Sequence, residues 1–134
     1  MNRTINQKVG LAFGAIYIVV GLLGFTVTGG HDMAGHEGGL LLGIFGVNVL
    51  HNIVHLAVGV ALIGAAMAGA LASKSVNATV GAVYLLVGVV GMMVGSGSLN
   101  ILALNGADHA LHLGSAAVLL GVGLAADRRS PAHA

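Results

Sequence analysis

Two stretches of similar sequence decide the fold: GAIYIVVGLLG at Gly14–Gly24 and GAVYLLVGVVG at Gly81–Gly91. They share a glycine at each end, a tyrosine at the fourth position and an almost uninterrupted run of apolar side chains. With its apolar flanks, each run is long enough to cross a bilayer, which takes ~20 residues in a helix. The match therefore predicts an internal duplication in which each copy begins with a membrane-spanning helix.

A second pair of matching segments follows these stretches. NVLHNIVHL at Asn48–Leu56 corresponds to NGADHALHL at Asn105–Leu113, and the first copy is longer between its two matches because it contains a histidine-rich loop. We therefore predict one transmembrane domain made of repeats at about 9–72 and 76–126, followed by a tail at 127–134. Because each copy has two spans, the repeats are expected to be parallel, with equivalent residues facing each other across an axis along the membrane normal.

The composition excludes a water-soluble monomer. Of 134 residues, 57% are apolar and 7% are charged, whereas soluble domains carry about 25% charged residues. Lipid is therefore the expected solvent. The net charge of +1, with no basic run interleaved with aromatic residues, argues against a nucleic-acid partner. The absence of cysteine excludes disulfides, thiolate metal ligands and a cysteine nucleophile.

Four apolar segments are expected to be helical, which predicts an all-α four-helix membrane bundle. They are Val9–Thr28, Leu40–Ala72, Val76–Gly95 and Leu99–Ala126. The second and fourth are too long for one perpendicular span, so each is expected to begin with a short interfacial or broken helix and to enter the membrane near Asn48 or Asn105. The positive-inside rule predicts cytoplasmic termini from the positions of the five basic residues, Arg3, Lys8, Lys74, Arg128 and Arg129.

Polar residues recur at helical spacing on the second and fourth spans. At ~100° per residue they fall on one face of each helix. Exposing an ionisable group such as Asp108 to acyl chains costs roughly 2.5–3.5 kcal/mol, so the two faces are expected to meet, in the outer half of the bundle. They comprise Asn48, His51, Asn52 and His55 on one span and Asn105, Asp108, His109 and His112 on the other.

The leading hypothesis for this cluster is a metal site. Its expected nitrogen ligands are His51, His55 and His112, and its expected oxygen ligand is Asp108, because i, i+4 pairs present both side chains on one helix face. Such donors suit Zn²⁺, Fe²⁺ or Mn²⁺, with copper as a further option. The residues expected around the ligands, with the amides fixing the histidine tautomers, are Asn48, Asn52, Asn105 and His109.

Several alternatives remain open for the cluster. In one, it is helix-packing glue in a non-catalytic subunit of a larger membrane complex or in a self-assembling bundle; in another, His55 and His112 bind a haem. A hydrolase using Asp108 and a proton path are further options, although the inner halves of the spans offer no evident polar chain. No catalytic residue is identified, since Asn52 replaces the glutamate of the H-E-x-x-H metalloprotease motif, and an enzyme is the less favoured interpretation.

The histidine-rich loop carries a further set of ligand-type side chains, His31, Asp32, His36 and Glu37. They are expected either to capture a cation or cap the buried cluster, or to form a solvated turn between glycine pairs.

The elements HNIVHL at His51–Leu56 and DHALHL at Asp108–Leu113, following the two G-A-x-Y stretches, resemble a four-helix bacterial membrane family, domain of unknown function 4383. The resemblance covers about Lys8 to Ala126, with one departure at His109, where the family pattern has Asn. It implies a multi-pass protein of the bacterial cytoplasmic membrane, surrounded by bilayer lipid. It supplies no reaction.

Overall fold

The computed structural model describes residues 2–128 and consists mainly of four long helices. The elements are α1 (Ile5–Gly24), β1 (Gly39–Leu41), β2 (Phe45–Val47), α2 (Val49–Ala68), α3 (Ala70–Val94) and α4 (Gly106–Ala125). Each helix is long and apolar enough to cross a membrane, which confirms the prediction of four helices able to span one. The predicted tail lies outside the described residues from position 129 onward, and so do Arg129, Pro131 and His133.

Helices α2 and α4 begin where the sequence predicts. The Asn48 side chain accepts a hydrogen bond from the His51 N–H at 2.9 Å, and that of Asn105 accepts one from the Asp108 N–H at 3.1 Å. Asparagine is among the preferred residues at the N-cap, the position just before the first helical residue, because its side chain satisfies a free backbone N–H. In α4 the bond is reciprocated, since Asp108 accepts from the Asn105 N–H at 2.9 Å.

The chain ahead of α2 and α4 differs from the prediction of short helices. Before α2, strands β1 and β2 form an antiparallel hairpin in which Leu40 pairs with Gly46. Its turn residues Leu42 and Gly43 have φ angles of 54° and 74°, which no right-handed helix accommodates. Before α4, the chain forms turns. The two segments pack together so closely that a Cβ on Gly46 would collide with the carbonyl oxygen of Ala103, and this tertiary contact overrides the local apolar pattern.

Glycines set the closest approaches between helices. The most extensive helix contacts join α1 to α2 and α3 to α4. A Cβ on Gly14 would lie 2.9 Å from the Gly59 carbonyl oxygen, and one on Gly59 would lie 2.8 Å from that of Gly14. In the other pair, a Cβ on Gly81 would collide with the Leu120 backbone. Small residues are therefore required where the backbones touch, as is common in membrane bundles.

A buried polar network closes the opposite end of the bundle, where the sequence offered no evident polar chain. The Asn77 amide donates to the Asn6 carbonyl at 2.9 Å, and the Asn6 amide donates to Asp127 Oδ2 at 2.9 Å. Asp127 also accepts from the backbone N–H groups of Ile5 and Asn6, at 3.2 and 2.8 Å. The network ties the end of α4 to the first turn of α1.

Candidate metal centre

Three histidines meet near the start of α2 and α4. His51 and His55 lie one turn apart on α2, His112 lies on α4, and each is at most 2% exposed. One ring nitrogen from each lies within 4.8 Å of the other two. Nε2 of His51 and Nε2 of His55 are 3.2 Å apart. The sequence placed these rings on two facing stripes, and the structure brings all three together.

A backbone carbonyl fixes the tautomer of His51. Its Nδ1 lies 3.0 Å from the carbonyl oxygen of Gly46, which can only accept, so Nδ1 carries the proton. The lone pair on Nε2 is then left facing His55. The Gly46 N–H donates in turn to Asp108 Oδ2 at 3.0 Å. Strand β2 therefore links a carboxylate of α4 to an imidazole of α2 through the backbone N–H and C=O of one residue, Gly46.

Asp108 is brought to this layer but not into the ligand group. Its Oδ2 accepts the N–H groups of Gly46 and Asn105, and the side chain is buried. Within residues 2–128, the group of converging ligand atoms holds the three histidines and no carboxylate. The sequence-based expectation of a fourth, oxygen ligand differs here from the geometry, because Asp108 lies three residues after an N-cap and its side chain bonds to backbone donors.

None of the predicted amides bonds to a histidine ring: Asn48 and Asn105 bond to the backbone, and the Asn52 amide donates to the Thr28 hydroxyl at 3.5 Å. Asn48 donates to the carbonyls of Gly35 and Ile101, at 3.0 and 2.8 Å, and Asn105 donates to that of Ile44 at 2.8 Å. These bonds hold the loops over the helix ends. The expectation that the amides fix the tautomers is therefore not met for His51, whose partner is a backbone carbonyl that no side-chain pattern could reveal.

Asn52 and His109, at matching places in the two sequence copies, both pack against glycines. A Cβ on Gly24 would collide with the Asn52 amide, and one on Gly91 would lie 2.7 Å from Cε1 of the His109 ring. Asn52 Oδ1 and His109 Nδ1 are buried without a hydrogen-bond partner. Both side chains therefore lie in helix interfaces, outside the histidine group.

Two tyrosines flank the histidine group. The Tyr17 ring centroid lies 5.2 Å from those of His55 and Tyr84, and the Tyr84 ring is stacked on His112 at 5.1 Å with an interplanar angle of 8°. The Tyr17 hydroxyl donates to Ser115 Oγ at 2.5 Å. The Tyr84 hydroxyl is buried without a hydrogen-bond partner, whereas buried tyrosine hydroxyls usually have one.

The histidine-rich loop covers the start of α2 with its backbone. The Met33 carbonyl accepts the Leu50 N–H at 3.0 Å, and the Gly35 carbonyl accepts the Asn48 amide. The ligand-type side chains are exposed, and none of them joins the histidine group. They are His31, Asp32, His36 and Glu37.

The sequence model of a family described as "Domain of unknown function (DUF4383)" matches residues 7–125. The match confirms the resemblance drawn from the paired histidine elements. A search of curated proteins and a search of solved structures each found no match.

Proposed function

The chain belongs to this family of unknown function, and we propose that it is a membrane protein that binds a transition-metal ion at His51, His55 and His112. The observation that carries the proposal is the 3.2 Å separation of Nε2 of His51 from Nε2 of His55. Two bonds of about 2.0–2.1 Å to a tetrahedral ion place their nitrogens ~3.3 Å apart. The two rings are therefore spaced like neighbouring ligands of one ion.

The unpartnered ring nitrogens support the same conclusion. Both nitrogens of His112 and Nδ1 of His55 are buried without a hydrogen-bond partner. Leaving a buried polar atom unsatisfied costs about 1–3 kcal/mol. Nδ1 of His55 stays unpartnered when its Nε2 binds, and unpartnered atoms also occur at Asn52 and His109 in helix interfaces. The support therefore comes from His112, which has no partner at either ring nitrogen and could give a lone pair from one of them to a metal ion.

The donor set narrows the choice of metal. Three neutral imidazoles suit zinc, copper, iron and nickel, whereas manganese prefers oxygen ligands. An Asp108 ligand would favour manganese, but that carboxylate is bonded to backbone N–H groups, so manganese is the less suitable ion. Zn²⁺ and Cu²⁺ are the ions we propose first, since Cu²⁺ heads the affinity order of these divalent ions and Zn²⁺ is typical of tetrahedral sites with three histidines.

The haem alternative is less well supported. A porphyrin held by His55 and His112 would have to lie between their rings, whose centroids are 6.0 Å apart. The His51 ring lies 4.3 Å from the first and 5.7 Å from the second. It therefore takes up space that a flat macrocycle needs.

We also propose that the chain consists of two parallel repeats with both termini in the cytoplasm of a bacterial cell. Contacts between positions that match in the two sequence copies support this arrangement: Tyr17 with Tyr84, and His55 with His112. The distribution of basic residues supports the sidedness.

Metal analysis of protein purified in detergent tests the metal proposal. We expect about one Zn²⁺ or Cu²⁺ ion per chain, as for any three-ligand centre, and its loss in the His55→Ala, His112→Ala double variant. His109→Ala is the matched control, since His109 lies on the same helix but outside the group, and it should retain the metal. Equal metal contents in the double variant and the control would contradict the proposal. They would favour the alternative in which the polar cluster only stabilises helix packing, so that the substitutions change the assembly state and not the metal content.

A further inference from the structure

The three-histidine group leaves one position of a tetrahedral ion without a protein ligand. A tetrahedral ion takes four donors, and sites with three protein ligands keep the fourth position for water or another small molecule. The converging group among the described residues supplies three ring nitrogens. Asp108 is bonded to Gly46 and Asn105. None of the described His, Cys, Asp and Glu side chains supplies a fourth donor, so this position is open to a ligand from outside the protein.

The charge around the site selects the kind of donor. Imidazole ligands are neutral, so a divalent ion keeps its charge in an apolar core, and the Asp108 carboxylate, which bonds to Gly46 beside His51, offsets only part of it. Uncompensated charge is costly in such a core. Helices α2 and α4 both begin at this end, and the positive ends of their dipoles add to that charge. The group is almost completely excluded from solvent. A negatively charged fourth ligand offsets both contributions, and a neutral one offsets neither.

The two tyrosines differ in a way that provides a hydrogen-bond donor beside His112. Tyr17 donates to Ser115 in α4. In the first sequence copy the position that matches Ser115 is Val58, which has no hydroxyl. Tyr84, the counterpart of Tyr17, is stacked on His112. Its buried hydroxyl lies near that of Tyr17 but forms no hydrogen bond of ordinary geometry. The duplication thus leaves one donor free next to a proposed ligand.

We infer that the centre binds a small monovalent anion, of the hydroxide, halide or azide class, as its fourth ligand, and that the Tyr84 hydroxyl donates a hydrogen bond to it. The inference rests on the proposed metal site.

Cobalt and azide give a direct test, because tetrahedral Co²⁺ has a visible spectrum that changes when a ligand is exchanged. Co²⁺ is first titrated into the full-length protein in detergent, and azide is then titrated into the Co²⁺ form. We expect a saturable spectral change on adding azide. Tyr84→Phe should weaken azide binding about tenfold, the effect of losing one hydrogen bond to a charged group, while Co²⁺ affinity stays within about twofold.

Tyr17→Phe is the matched control, since it removes the equivalent hydroxyl, which already has a partner. It should change azide affinity by less than about twofold, well below the loss of a charge-assisted hydrogen bond. Unchanged Co²⁺ affinity in both variants shows that each one folds and keeps the metal centre.

The outcomes separate this inference from the metal proposal. If Co²⁺ binds and azide leaves its spectrum unchanged, the anion site is refuted and the metal site stands. If Co²⁺ fails to bind, the metal proposal fails and the inference falls with it. Equal azide affinities in the two tyrosine variants would overturn the role of Tyr84. The azide infrared stretch measures azide binding to metal-free protein. Binding of the same strength there would show that the anion is not a metal ligand.

Discussion

The two halves of the molecule share a scaffold and differ in the side chains that it presents. Both pair a long first helix with a second helix that begins at an asparagine cap. Where the first half has His51, the second has Asp108; where the second has Ser115, the first has Val58. The first half supplies two histidines to the cluster and the second half one. Two halves with the same order of helices therefore contribute unequally to the histidine cluster, and the variants below test that difference.

The largest effect is expected from the histidines that occupy matching positions. His55→Ala and His112→Ala each remove one of three proposed nitrogen ligands. Each should weaken Zn²⁺ affinity by at least about 100-fold, more than the loss of an outer-shell partner usually does. Isothermal titration in detergent, with competition by a chelator, measures the effect. A large loss in one variant and none in the other would show that the two halves do not contribute to a shared ion.

The helix contacts allow the packing of the two halves to be compared directly. Gly59→Ala and Gly81→Ala place a methyl group against the backbone of the neighbouring helix. Each should destabilise the bundle by about 1–3 kcal/mol, the usual cost of overpacking. The controls are Gly64→Ala and Gly121→Ala, which match each other in the two sequence copies and where a Cβ meets no atom within 4 Å. They should be neutral or stabilise by up to about 1 kcal/mol. Thermal unfolding in detergent measures all four, and equal melting temperatures would contradict these close contacts.

Asp108→Asn tests the hydrogen-bonded link that Gly46 makes between Asp108 and His51. The substitution replaces a carboxylate that accepts two backbone N–H groups, from Gly46 and Asn105. We expect a loss of about 1–2 kcal/mol in stability, as for a helix cap, and ~10-fold weaker Zn²⁺ binding through His51. His109→Ala is the control for Zn²⁺ binding, since His109 is the next residue on α4 and lies outside the histidine group. A loss of affinity in Asp108→Asn as large as that in His55→Ala would instead indicate that Asp108 is itself a ligand.

The sequence predicted much of the fold because its main signals are local. The four spans follow from apolar length, and the starts of α2 and α4 follow from Asn48 and Asn105, whose caps are formed within one helical turn. The three histidines were identifiable because polar side chains on apolar helices have to find each other.

The hairpin and the details of the site could not be predicted, because they depend on contacts between distant segments. The backbone of Gly46 bonds to His51 and Asp108, and the conformation of its strand depends on its packing against Ala103. The apolar pattern of Leu40–Val47 is equally compatible with a helix or a strand. Similarly, Asn6 and Asn77 bond to each other across a separation of 71 residues, which no local pattern reports.

The smallest expected effect concerns the starts of the two first helices. The first turn of α1 is capped by Thr4 and by Asp127, whereas α3 has no side-chain cap. Hydrogen bonds from the backbone N–H of Asn6 lower the pKa of Asp127. Its stabilising contribution is therefore complete above the unfolded-state pKa of about 3.9, and it is lost as the pH falls through the lower, folded-state value.

Asp127→Asn should therefore lower the thermal midpoint slightly at pH 7, by an amount equivalent to at most about 1 kcal/mol, and the difference from wild type should vanish in strong acid. Arg128→Gln, a neighbouring change without a contact to α1 among the hydrogen bonds of residues 2–128, is the control and should leave the midpoint unchanged at both pH values. A difference for Asp127→Asn that persists unchanged at low pH would mean that the side chain acts through its shape and not its charge. The contact of Asp127 with the first turn of α1 would then be one of packing. The starts of α1 and α3 would differ less in stability than their hydrogen bonds indicate.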